Sequence, residues 1–334
     1  FLTRIELDRR AALVGALGMQ LGAFALANLH YYMKVDSALW FPWALWAVEG
    51  LARGKRWSAT ALVLALALAL LGGMVTIGAF VFAGTALYAL VRLGPFAPQA
   101  AERKSPLLAA GLCFVLGGAG AAYWVLPLAE SAANSSRGAV SFEGTVATSL
   151  APTTALGLFV PDLIGPPGDP TPSESLPLAW WLTPAALSGR AEHASTLEWD
   201  LHARLALVLL GLVGVVARPR RAAFPALLLV LCVGFAQAWP LVRWLYHVPG
   251  FDLGAPGRVL ALAWFLWPWL AALGVEALLA RAPRALATLV VASFAVALAA
   301  SLAWKGLEPA EFARGIQETI LARYPGLVTR AEVM

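Results

Sequence analysis

The chain has 334 residues, 60% of them hydrophobic and 13% charged, with a mean hydropathy of +0.74. That charged share is far below the quarter or so usual in soluble domains, which excludes an ordinary water-soluble fold. The net charge of +5 comes from short clusters between apolar blocks, not from a patch or stripe, which excludes a nucleic-acid surface.

Apolar blocks long enough to cross about 30 Å of hydrocarbon as helix recur along the chain. They predict an all-α polytopic membrane protein with about nine spans, at 11–29, 37–52, 58–72, 74–92, 106–128, 203–217, 223–240, 259–279 and 285–302. The stretch 57–93 is too long for one span, since its 37 residues would reach about 55 Å as helix. Gly72-Gly73 divides it into two short ones. Charge supports that division. With the chain's N-terminus in the cytosol, the clusters within 4–10, 53–56, 92–104, 218–221 and 281–284 all fall on one side, carrying 14 of the 24 basic residues. This predicts a cytoplasmic-membrane protein with five spans in 1–128, an extracytoplasmic Pro/Gly-rich loop over 129–202, four spans in 203–302, and an extracytoplasmic tail over 303–334. The tail reads as leading towards a further domain, and Phe1 without a preceding signal segment reads as the start of a piece of a longer protein.

Three stretches resemble the YfhO-type family of bacterial polytopic membrane proteins. HYYMKVDSALWFPWALWAVEGLA at 30–52 is similar to that family's outer His-containing turn and Pro-containing span. AAYWVLPLAESAANSSRG at 121–138, continued by SLAPTTALGLFVPDLIG at 149–165, resembles its Leu-Pro span end and outer loop. VPGFDLGAPGRVLALAWFLWPWLAALGVEAL at 248–278 resembles its Pro-Gly-Phe, Pro-x-Arg and Gly-x-Glu pattern, whereas GFAQAWP before it departs from the expected Leu-Gly pair. The resemblance implies a GT-C-like arrangement. In that reading the protein transfers sugar from a polyprenyl-phosphate donor to a cell-envelope polymer acceptor on the outer face, among membrane lipids as partners.

Such chemistry needs a carboxylate to take the acceptor's proton and cations to hold the lipid phosphate. The family's key acid lies in an earlier outer loop, so the catalytic base is unassigned and expected upstream; His30 and Asp36 are the weak candidates here. Lys34 in the same turn suits a phosphate. The competing reading is a solvated turn, with Asp36 capping a helix that begins at Ser37. Arg137 and Arg258 are outer cations suited to forked phosphate contacts, or else to pairing with Glu130 and Asp252. Glu130 and Asp252 are themselves candidates for substrate binding, and Glu143, Asp162 and Asp200 are read mainly as solvated loop charges.

His193, His202 and His247 lack a ligand spacing, so no metal site is predicted; a divalent metal would be unsupported, and no cofactor is expected. Cys113 and Cys232 read as buried structural thiols, and Gln20 as a mid-span packing residue. Glu49 and Glu276 are expected to snorkel to the cytosolic side and pair with Arg53 and Arg281. No GxxxxGK[ST], GxGxxG, CxxC or GxSxG motif is present. A transporter or flippase of a lipid or small solute, or a non-catalytic envelope scaffold, is the alternative to the glycosyltransferase. Against transport stands the near absence of charge in the central thirds of the spans.

Overall fold

The computed structural model describes residues 1–22, 24, 32–94, 105–134, 142, 146, 149, 205–248, 251, 255–281, 288 and 292. Among these there is helix and turn but no strand. Eight α-helices follow one another: α1 (Arg9–Gln20), α2 (Tyr32–Ala52), α3 (Ser58–Leu71), α4 (Val75–Leu93), α5 (Ser105–Ala133), α6 (Leu205–Ala217), α7 (Pro219–Ala236) and α8 (Ala263–Arg281). Two 3₁₀ segments, Arg243–His247 and Pro256–Ala261, lie between α7 and α8. Among the described residues, four helical stretches are long and apolar enough to cross a membrane: Val75–Leu93, Pro106–Ala132, Pro219–Ala236 and Pro256–Ala280. α3 and α6 are apolar but short; the 14 residues of α3 reach only about 21 Å. The expected ninth span at 285–302 and the tail lie outside the described residues, apart from Thr288 and Ala292.

Local chemistry accounts for the helix limits. Asp8 caps α1 by accepting the Arg10 N–H at 2.8 Å. α1 ends at Gln20, so that residue is an exposed helix end and not the mid-span residue expected. The Gly72-Gly73 break stands where the sequence placed it. Gly73 has φ +97, a conformation that L side chains rarely adopt, and a Cβ there would lie 2.9 Å from Met33 Cγ. Met74 N–H then donates to Ser37 Oγ at 3.2 Å, fastening the turn onto α2. α2 starts by Tyr32, ahead of the expected Ser37, so Lys34 and Asp36 are helical and Asp36 is not the cap. α5 continues through Pro127 to Ala133, past the expected end at Leu128.

α8 is the central element and α5 a peripheral one. Of their apolar windows, 89% is buried in the first and 17% in the second. Leu266, Leu270 and Leu273 of α8 are wholly buried, as are Phe41, Leu45 and Val48 of α2 and Leu62 and Leu66 of α3. α5 instead turns Leu108, Leu112, Val115, Tyr123 and Leu126 outward, as suits a helix facing hydrocarbon. α6 crosses α8 backbone to backbone. A Cβ on Gly214 would stand 2.9 Å from Gly274 N and closer still to the Leu270 carbonyl, so only small residues permit the crossing.

The helix ends sort by charge. The start of α1, the end of α2, the starts of α3 and α7 and the ends of α4 and α8 meet at one end of the bundle, which we term the arginine-rich end. Contacts that fix this include Arg4 with Trp46, Arg53 with Glu6, Arg92 with Glu49, and Arg221 with Glu276. Cys113 of α5 reaches the Ala59 carbonyl near the start of α3, in the same sense.

Candidate functional site

At the arginine-rich end, Glu49 is buried and held from three sides. Tyr88 donates its hydroxyl to Oε1 at 2.6 Å. Arg92 donates through Nε at 2.7 Å and Nη2 at 3.3 Å, a forked pair. Arg53, the expected partner, stands farther off at 3.9 Å. Glu49 therefore does not snorkel, because two polar partners on α4 meet it inside the bundle. The 1–8 segment closes over this group. Arg4 donates to the Trp46 carbonyl at 2.9 Å and lies 3.7 Å over the Trp46 ring. Burial, and next the neighbouring Arg53, push the Arg4 guanidinium below its ordinary pKa. Arg53 in turn donates to the Arg4 carbonyl and to Glu6 at 3.4 Å.

Glu276 of α8 is bound differently. Its Oε2 lies 3.2 Å from Arg221 Nη1 and 3.8 Å from Arg218 Nε, both at the start of α7, while the side chain of Arg281, the expected partner, lies outside what the structure describes. The three groups border an open cleft of about 740 Å³ whose far wall carries Glu6, Asp8 and Arg10. Sequence reasoning placed all these residues on one side but did not pair them. The available signal was an acid near the end of one span and cations at the same depth on others.

At the opposite end, the segments carrying the predicted phosphate-binding cations converge. Lys34 is buried on the first turns of α2, and Arg258 is half-buried in the 3₁₀ segment leading into α8. One turn beyond each, Ala38 and Ala261 belong to a single apolar cluster with Ile77 and Trp264. Trp264 also donates its indole N–H to the Met19 carbonyl, bringing α1 to the same place. Asp36 is exposed on α2. Glu130 is exposed near the end of α5, where its carbonyl accepts from Asn134 Nδ2 at 3.0 Å. His30, Arg137 and Asp252 lie outside the described residues, as do Glu143, Asp162, Asp200, His193 and His202.

Aromatic side chains that the sequence reading left unassigned wall this end. His247 stacks on Phe142 with centroids 4.6 Å apart, while Phe251 packs on Phe80 at 4.9 Å. Tyr246 donates to the Phe235 carbonyl at the close of α7, and burial pushes its phenol well above the ordinary range. Among the described residues, no group of three or more His, Cys, Asp or Glu stands ready to hold a metal ion. Compared with protein families, curated proteins and solved structures, the chain matches none of them.

Proposed function

We propose that the chain is a membrane glycosyltransferase-like protein of the bacterial cell envelope, working at the end of the bundle opposite the arginine-rich one. Gathering of the basic clusters at one end supports a cytosolic position for that end, which leaves Lys34 and Arg258 on the extracytoplasmic side. The observation that carries the reading is the convergence of Lys34, buried, and Arg258, half-buried, on one apolar cluster at span ends. Cations at span ends suit an anionic group presented at the same depth. The phosphate of a polyprenyl-phosphate sugar has that chemistry, with its prenyl chain in the bilayer. In the reaction, an acceptor hydroxyl attacks the anomeric carbon and the bond to the phosphate oxygen breaks. The cations hold the departing polyprenyl phosphate and a base takes the hydroxyl proton. Asp36 is the described candidate for that base, and the acceptor is an envelope polymer.

Transfer of radiolabelled sugar from polyprenyl phosphate, in membranes carrying the protein, tests this. Lys34→Met and Arg258→Ala are each expected to lower transfer by on the order of ten- to a hundredfold, the worth of a charge-assisted hydrogen bond, with unchanged amounts of inserted protein. Undiminished transfer in both variants overturns the site. Solute counterflow in reconstituted vesicles without any sugar transfer overturns the reaction and favours a transporter.

A further inference from the structure

The cleft at the arginine-rich end is lined by three arginines and three carboxylates. Its cations come from two elements, Arg10 on α1 and Arg218 and Arg221 on α7, and its acids are already engaged. Glu6 is drawn to Arg53 at 3.4 Å, and Asp8 accepts the Arg10 backbone N–H at 2.8 Å. Glu276 offers one carboxylate oxygen to two guanidinium groups. At 3.8 Å the Arg218 Nε is too far from that oxygen to donate a hydrogen bond. It is buried with no other acceptor, and a buried donor left so is costly. The Arg10 guanidinium has no side-chain partner among the described residues.

Backbone electrostatics act in the same direction. α7 opens with Pro219, has no side-chain cap and carries no acid in its first turn, so the partial positive charge of its N-terminus adds to that of the arginines beside it. Position then narrows the ligand. The cleft lies where the membrane-crossing stretch Pro219–Ala236 begins and Pro256–Ala280 ends, with Leu279 in its wall. That is headgroup depth, and about 740 Å³ holds far more than a bare ion.

We propose that this cleft binds the phosphate ester of a membrane lipid headgroup, with its oxygens accepting from Arg10, Arg218 Nε and Arg221. The inference does not depend on the sugar-transfer reading, which concerns the other end of the bundle. The protein, delipidated in detergent, would be titrated with phosphatidylglycerol, with diacylglycerol of the same acyl chains, and with glycerol 3-phosphate. The readouts are the shift in melting temperature and the lipid retained in native mass spectrometry. Phosphatidylglycerol is expected to raise the melting temperature and be retained one to one, and diacylglycerol to do neither. Arg10→Gln combined with Arg221→Gln should weaken phosphatidylglycerol at least about tenfold, the loss of a charge-assisted hydrogen bond. Arg10→Gln alone removes no side-chain hydrogen bond or ion pair among the described residues, so it carries the test should the double variant melt early. Equal affinity for phosphatidylglycerol in Arg10→Gln and the wild type, or equal stabilisation by diacylglycerol, overturns the proposal. Arginine-dependent binding of glycerol 3-phosphate as tight as that of the lipid overturns the lipid source and assigns the site to a soluble phosphate ester.

Discussion

Glu49 and Glu276 occupy matching places in the sequence, each near the arginine-rich end of a Pro-containing apolar helix with an arginine a turn or so beyond. Their surroundings differ. Glu49 is sealed between α2 and α4 under the 1–8 segment, with Tyr88 and Arg92 supplying short hydrogen bonds. Glu276 meets two arginines at longer range on the wall of an open cleft. A carboxylate is costly to bury unless every lone pair finds a donor, so the first arrangement closes and holds helices together. The second stays open and has a spare guanidinium in Arg10, and that leaves it free to bind. The same residue type thus acts as a structural tie in one place and as part of a ligand wall in the other.

The largest expected effect sets the two carboxylates apart directly. Glu49→Ala leaves the Tyr88 hydroxyl and the Arg92 guanidinium facing each other without a carboxylate. It should lower stability by about 3 to 5 kcal/mol, the cost of breaking a buried pair. Glu276→Ala, at a carboxylate held by longer contacts and 14% exposed, should cost less, about 1 to 3 kcal/mol. Denaturant titration in one detergent measures both, and equal losses would erase the distinction. Tyr88→Phe comes next. It removes one hydrogen bond to a charged acceptor while the ring keeps its edge-on packing against Phe224 at 4.9 Å, so about 1.5 to 3 kcal/mol is expected. A negligible change would mean that Arg92 alone satisfies Glu49. The smallest effect belongs to the opposite end and depends on pH. Burial raises the Tyr246 phenol in the fold, so its contribution is intact below the unfolded value near 10 and is lost as pH rises beyond it. Tyr246→Phe should therefore cost about 1 kcal/mol at pH 8 and flatten the alkaline loss, as followed by melting temperature from pH 8 to 11. An unchanged alkaline slope would place the titration elsewhere.

Much of the helical layout was legible because it follows from one-dimensional rules. A run of apolar residues predicts a span, and a Gly pair in the middle of an overlong run predicts its break; Gly72-Gly73 is such a case, with Gly73 at φ +97. The start of α2 was misplaced because Lys34 and Asp36 read as loop charges, whereas Lys34 is buried within the helix. The candidate site was legible in part. Lys34 and Arg258 were singled out for their charge near span ends, but only packing shows that their segments share the Ala38 and Ala261 cluster. The cleft went unnoticed because none of its residues is unusual alone.

Composition, block length and the recurrence of arginine between blocks by themselves determined a helical architecture with apolar, membrane-length segments and one basic end, since each of these costs is paid residue by residue against hydrocarbon or water. The choice of Arg92 and Tyr88 for Glu49, of Arg218 and Arg221 for Glu276, and of Gly214 against Gly274 belonged to the tertiary structure. Those choices depend on which helix faces meet and at what depth, and charged or small residues at equal depth on several helices are interchangeable until packing brings one pair within reach.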